Sequence, residues 1–199
     1  MDGTCNNLDS CPNDFFNDYD NDGLCDSEDP CPDDSNNNCE NQDPCADNFT
    51  YLNNIPIETV SILDFPNNCF NNDDLNVLND IIIINNLNVE FPIYLATQSW
   101  NNGRLKSLEL GNHYQGGNII IDQLPNSIGD LDEIGILDLQ ENNLTSLPNN
   151  ITQLSNLVYL DVHFNQLTSI PEDIGNMTNV YWLDFGYNQI EFLPIALSI

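Results

Sequence analysis

Positive charge is almost missing from this chain. Its 199 residues hold two basic side chains, Arg104 and Lys106, against 32 acidic ones, for a formal charge of −30. Nucleic acid needs basic groups to replace its counterions, and an anionic membrane surface attracts the same groups, so both partners are excluded. No apolar run reaches the roughly 20 residues that span a bilayer, which argues against membrane insertion. The start, "MDGTCNN", has neither a basic nor an apolar signal stretch. Histidine is absent before His113, and only two occur in all. With cysteines committed elsewhere, no acid–base constellation for catalysis remains, so a non-enzymatic protein is expected.

Cysteine is not scarce, and it is regular. Seven occur, six of them in three pairs with one spacing: Cys5 and Cys11, Cys25 and Cys31, Cys39 and Cys45. Equal spacing in an acidic, loop-rich segment reads as a disulfide ladder formed in an oxidising compartment. Zinc is the competing reading, but it usually takes closer cysteine pairs or histidines. Closing each small ring contributes about 2–3 kcal/mol on the chain-entropy model. Cys69 is odd: pairing with Cys45, a reshuffled ladder and a buried free thiol all fit. A chain that needs oxidation but starts without a signal reads as the inner part of a longer secreted protein.

The acidic segment repeats. "DGTCNNLDSCPND" (2–14) matches "DGLCDSEDPCPDD" (22–34), and "NNCENQDPCAD" (37–47) is a weaker third copy. In the central copy Asp18, Asp20, Asp22, Asp26 and Asp29 occupy positions 1, 3, 5, 9 and 12 of a loop, with Gly23 at position 6. That spacing turns alternate oxygens inward, and the Leu24 carbonyl adds another, approaching the six to eight that Ca²⁺ takes. Asp34, Asn36, Glu40 and Asp43 make a weaker site in the third copy, where Pro32 has replaced the first ligand. Asp2, Asn6 and Asp9 are half a site in the first. A cation among the carboxylates offsets a repulsion of about 1 kcal/mol per pair at 4 Å in water. The string D-x-D-x-D-G-x-x-D-x-x-D-x-C-P resembles the thrombospondin type-3 repeat, from Asp18 through Cys31 and Pro32. The resemblance covers residues 1–47 and implies a calcium-wrapped, disulfide-braced module with little regular secondary structure, extracellular or at the cell surface.

From Leu124 a period of 23 residues takes over: "LPNSIGDLDEIGILDLQENNLTS" (124–146), "LPNNITQLSNLVYLDVHFNQLTS" (147–169) and "IPEDIGNMTNVYWLDFGYNQIEF" (170–192). Each carries L-x-x-L-x-L-x-x-N-x-L, in the middle copy Leu157, Leu160, Val162, Asn165 and Leu167. The pattern is identified as a leucine-rich repeat. It implies an α/β solenoid in which short L-x-L strands stack in parallel, Asn142, Asn165 and Asn188 form an internal ladder, and the L-P-x-x-I-x-x-L half packs the convex side. Residues 105–123 read as an imperfect earlier repeat through Leu105, Leu108 and Leu110. "NNDDLNVLNDIIIINN" (71–86) predicts a helix, with apolar Leu75, Leu78, Ile81 and Ile82. With the sequence up to 104 this resembles the N-terminal cap of secreted plant-type leucine-rich repeats, without their paired cysteines. The expected organisation is therefore a calcium module over 1–47, a linker and cap over 48–104, and repeats over 105–199.

Register predicts four columns on the open face of the sheet. Ile136, Tyr159 and Trp182 form one, and Glu109, Asp138, Asp161 and Asp184 the next. Gln140, His163 and Gly186 follow, then Glu141, Phe164 and Tyr187. Exposed aromatics beside carboxylates resemble an interface. Tyr159, Trp182, Phe164, Tyr187, Asp161 and Asp184 are thus the candidate binding residues, for a protein or glycan on the concave face. The Asp column has a structural reading too, serving the sheet edge. The sequons at Asn48, Asn143, Asn150 and Asn176 matter only in a eukaryotic secretory pathway. Adhesion or recognition is the expected function. An extracellular filament or surface layer is the alternative, because "LPIALSI" starts a repeat without a polar cap and leaves apolar residues for head-to-tail contact.

Calorimetry of the oxidised segment 1–50 is expected to show calcium binding with a Kd of roughly 10⁻⁴ to 10⁻³ M, tighter if repeats share ligands. No heat of binding would remove the calcium reading.

Overall fold

The computed structural model describes residues 45, 48–52, 60–62, 68–111 and 119–197. The candidate calcium ligands from Asp2 to Asp43 and the cysteines from Cys5 to Cys39 lie outside the described residues. The chain divides into two compact units, Met1–Ala46 and Asp47–Ile199. Cys45 and Cys69 are both disulfide-bonded, which overturns the free-thiol reading of Cys69.

The second unit begins with β1 (Phe49–Tyr51), β2 (Val60–Ile62) and β3 (Cys69–Asn71). β1 and β3 pair antiparallel, Thr50 opposite Phe70. The predicted helix follows as α1, Asn72–Ile84. Asn71 caps it: its Oδ1 accepts the backbone N–H groups of Asp73 and Asp74 at 3.0 and 3.2 Å, satisfying donors that have no partner inside the helix. Val77, Leu78, Ile81 and Ile82 face the core. Asn85 ends the helix and ties it forward. Its amide donates to the carbonyls of Ile81 and Gln123, and its Oδ1 accepts the N–H groups of Asp122 and Gln123.

β4 (Thr97–Asn101) and β5 (Arg104–Glu109) form an antiparallel hairpin. Asn102 and Gly103 turn it with φ of 51° and 68°, both left-handed as a tight two-residue turn requires. A side chain at Gly103 would also put a Cβ 2.5 Å from the Cys69 carbonyl oxygen. β5 then starts a parallel run with β6 (Ile136–Asp138), β7 (Tyr159–Asp161) and β8 (Trp182–Asp184). β2 adds in parallel on the far side of β4, so the order is β2-β4-β5-β6-β7-β8. The repeat strands stack in parallel as predicted, and the cap adds one antiparallel pair, because a short turn at Asn102–Gly103 joins neighbours only antiparallel. No helix among the described residues is long and apolar enough to cross a membrane.

Each 23-residue coil is built alike. After Pro125, Pro148 and Pro171 come 3-10 turns at Asn126–Asp130, Asn149–Gln153 and Glu172–Asn176. Ile128, Ile151 and Ile174 from these turns are buried in the same core as Leu137 and Leu160 from the strands. Three residues of strand cannot bury an apolar face alone, so neighbouring coils must cover it. One continuous core results, from Phe70 and Trp100 in the cap to Ile174 in the last coil.

Asparagines fasten coil to coil. Asn165 accepts the Leu144 N–H at 2.9 Å and donates to the carbonyls of Leu139 at 2.8 Å and Val162 at 3.1 Å. Asn142 does the same with the Ile121 N–H and the Leu110 and Leu139 carbonyls. Asn188 repeats it with Leu167, Val162 and Phe185. Acidic and basic groups join cap to coils. Asp74, buried in α1, accepts Arg104 Nε at 2.9 Å, Arg104 Nη2 at 3.1 Å and the Leu105 N–H at 2.9 Å. Arg104 also reaches Asp132, and Lys106 donates to Glu133 at 2.6 Å.

Asn165→Ala is expected to lower stability by about 3 kcal/mol, because it orphans the buried Leu144 N–H and removes two further bonds. Asn188→Ala, at a half-exposed position, is expected to cost less. Urea unfolding measures both, and a cost below about 1 kcal/mol for Asn165→Ala would contradict the ladder's role.

Candidate binding face

Alternation along each strand sends Leu137, Leu160 and Leu183 inward and their neighbours outward. The pairing confirms the predicted register: Ile136, Tyr159 and Trp182 lie opposite one another, as do Glu109, Asp138, Asp161 and Asp184.

Two aromatic pairs stand on this face. Tyr159 and Trp182 stack with centroids 5.8 Å apart and planes 6° from parallel. Phe164 and Tyr187 stack at 4.2 Å and 17°. Trp182 is 49% exposed, Phe164 46% and Tyr187 76%. The second pair sits on unusual backbone. Glu141, Phe164 and Tyr187, equivalent in the three coils, have φ of 54°, 51° and 52°. The left-handed region is an outlier for bulky residues. The chain enters it there to reverse after the strand and turn the next residue, the ladder asparagine, inward. Sequence spacing placed these aromatics in one column but carried no sign of the strained turn beneath them.

The carboxylate column is different from the predicted one. Asp138 and Asp161 are 5% and 4% exposed, so neither is a surface charge. Each folds back over its own chain, because an exposed strand end leaves an N–H that a short carboxylate can reach. Asp138 Oδ1 accepts the Gln140 N–H at 3.0 Å, and its Oδ2 accepts the Gln140 side-chain amide at 2.7 Å. Asp161 Oδ1 accepts the His163 N–H at 3.0 Å and lies 2.6 Å from His163 Nδ1, while Tyr159 donates its hydroxyl to Oδ2 at 3.1 Å. Asp184 Oδ1 accepts the Gly186 N–H at 2.8 Å. Gln140, expected on the surface, is buried with Asp138. The Asp161–His163 contact escaped the register argument, which put the two in separate columns.

Crowded carboxylates titrate late. Burial, with the neighbouring Asp138 charge, raises the pKa of Glu109 above the usual glutamate value. Burial also raises that of Asp138, aided by Asp161 and opposed by the Gln140 hydrogen bonds and by His163.

Comparison with known proteins identifies the solenoid. A family model described as a leucine-rich repeat region matches residues 96–189. Residues 96–189 are a leucine-rich-repeat region. The match starts one residue before the cap hairpin, nine residues ahead of position 105. No curated relative matches the chain. Among solved structures, a leucine-rich-repeat protein of Leptospira interrogans is 29% identical, with a TM-score of 0.40 over 46% of this chain and 28% of that one. The BIR3–SERK2 complex from Arabidopsis thaliana is 30% identical, with a TM-score of 0.42 over 51% of this chain and 55% of that one. The chain thus spans about a quarter and about half of the lengths of these two.

The raised carboxyl pKa values make stability depend on pH. The folded state binds protons at Glu109 and Asp138 more tightly than the unfolded chain does. Their contribution is therefore fully present below the usual carboxylate range, near pH 4, and is lost as pH rises through the raised values. Thermal melts are expected to show Tm falling from about pH 4.5 to pH 7. The slope should be shallower in Glu109→Gln/Asp138→Asn, where Asn keeps the acceptor for the Gln140 N–H. Equal slopes would show that these two groups do not titrate as described.

Proposed function

We propose that the sheet face of the leucine-rich-repeat region is a protein-recognition surface, and that Tyr159, Trp182, Phe164 and Tyr187 are its anchors. The observation that carries this is the pair of exposed aromatic stacks on one face. Rings left half or more in water contribute less to folding than buried ones, and rings at left-handed φ cost of order 1–3 kcal/mol each. Backbone strain of that kind collects where a surface has work beyond stability. Stacked aromatics are rigid, so they bind with little loss of side-chain freedom, and aromatic anchors dominate measured interface energetics. Asp184, half-exposed beside Trp182, and the −30 charge favour neutral or cationic partners over acidic ones.

The proposal extends to the whole chain. The acidic segment 1–47, through Asp18, Asp20, Asp22, Leu24, Asp26 and Asp29, is read as a calcium-stiffened stalk. The protein would then act in adhesion or recognition outside the cell or at its surface. What supports this part is the ligand spacing and the cysteine regularity of the sequence.

The test uses displayed peptides selected for binding to the full chain in calcium. Trp182→Ala is expected to weaken the selected ligands at least thirtyfold, the equivalent of about 2 kcal/mol. Tyr187→Asn is expected to weaken them as well while leaving Tm equal or higher, since Asn accepts the left-handed turn. Ligands that bind both variants as they bind the parent would overturn the proposal.

A further inference from the structure

The middle of the face carries more than aromatics. Asp161, His163 and Asp184 each offer a donor atom, and the three lie within 4.8 Å of one another. Two come from adjacent strands, in register, and the third, His163, from two residues past the end of β7. Their orientation is already fixed. Asp161 is held by the His163 N–H and the Tyr159 hydroxyl, with its Oδ1 2.6 Å from His163 Nδ1, a contact that a bound ion would replace, and Asp184 by the Gly186 N–H. Such supporting hydrogen bonds hold metal ligands in place and set their basicity.

Comparison of the coils shows why the cluster is local. In the coil before, the position of His163 is Gln140, whose amide occupies Asp138 Oδ2 at 2.7 Å. That carboxylate is closed by its own neighbour. In the coil after, the same position is Gly186, which is exposed and carries no side chain to cover Asp184. A Cβ there would stand 3.1 Å from Asp184 Oδ1. The sequence Gln, His, Gly therefore closes one carboxylate, puts an imidazole at the second and opens the third to solvent.

We propose that Asp161, His163 and Asp184 bind one divalent first-row transition ion of the Zn²⁺, Ni²⁺ or Cu²⁺ type. One imidazole nitrogen and two carboxylate oxygens suit these ions, whereas Ca²⁺ takes six to eight oxygens. Two negative groups on adjacent strands also lose their mutual repulsion when a dication sits between them. Three protein ligands leave at least one position for water or for a donor from outside the chain. The site lies between the two aromatic stacks, but it does not depend on the recognition role proposed for them.

The test titrates the full oxidised chain with ZnCl₂ and NiCl₂ by calorimetry, in excess calcium that saturates any all-oxygen sites. Quenching of Trp182 by Ni²⁺ is followed in parallel. One equivalent is expected to bind, and binding is expected to weaken at least tenfold in both His163→Gln and Asp184→Asn. Gln at 163 copies the coil before, and Asn at 184 keeps the acceptor for Gly186, so Tm should hold in at least one of them. Asp22→Asn, in the acidic segment, is expected to change nothing. Wild-type affinity in a folded His163→Gln or Asp184→Asn would overturn the proposal. So would loss of all zinc and nickel binding when calcium is present.

Discussion

Every coil of this solenoid is fastened to the one before it by a buried carboxamide. Asn142, Asn165 and Asn188 each accept an N–H from the preceding coil and donate to carbonyls of both coils. An amide offers an acceptor oxygen and two N–H donors on one short side chain, whereas an ionised carboxylate only accepts and a hydroxyl has a single donor. The backbone groups it satisfies stand where the strand ends and the chain turns, out of reach of the sheet's own hydrogen bonds. Left unpaired in an apolar core they would cost about 1–3 kcal/mol each. The left-handed turns at Glu141, Phe164 and Tyr187 follow from the same need, since they swing the asparagine inward.

The cap solves a related problem with the chain's two cations. A solenoid must cover its first apolar face, and α1 with the β4–β5 hairpin does so through Val77, Leu78, Ile81, Trp100 and Leu105. Arg104 then joins α1 to the hairpin and to the first coil, through Asp74 and Asp132. The hydrogen bonds that the guanidinium donates to Asp74 above all hold it in its charged form. Lys106 repeats the device on Glu133. In a protein with 32 acidic groups, placing both cations at one junction makes that junction the point where charge attraction helps folding. Along the rest of the sheet charge works against it. Glu109 and Asp138 resist ionisation chiefly because they are buried, and the neighbouring carboxylate of each adds to it.

The face itself balances two demands. The aspartates following the inward leucines end the strands by accepting the next free N–H, and for Asp138 and Asp161 this takes them out of water. What remains on the surface is largely apolar, Ile136 and the aromatics, with half-exposed carboxylates at Glu109, Glu141 and Asp184. Polar structure lies underneath and apolar structure on top, the reverse of an ordinary solvated sheet. A surface of that kind suits binding better than it suits stability.

Much of this was legible in the sequence because the repeat is strict. A 23-residue period with alternating L-x-L determined the coils, the stacking register, the ladder asparagines and the columns in which Tyr159 meets Trp182 and Phe164 meets Tyr187. Asn71 followed by two aspartates and a 3–4 apolar spacing determined α1 to within a residue or two of its ends. The calcium spacing of Asp18 to Asp29 belongs to the sequence too. Other features came only from the folded chain. Periodicity says which way a side chain leaves the backbone, not whether it bends back to bond with it, so Asp138, Asp161 and Gln140 read as exposed when they are buried. It says nothing of contacts between columns, so His163 and Asp161 were kept apart. Nor does it mark a left-handed φ beneath a Phe or Tyr, or a hairpin that sets the two cap strands β2 and β4 against the direction of the repeat strands. Those depend on where the neighbouring coil and the cap stand in space, and distance along the chain does not encode that.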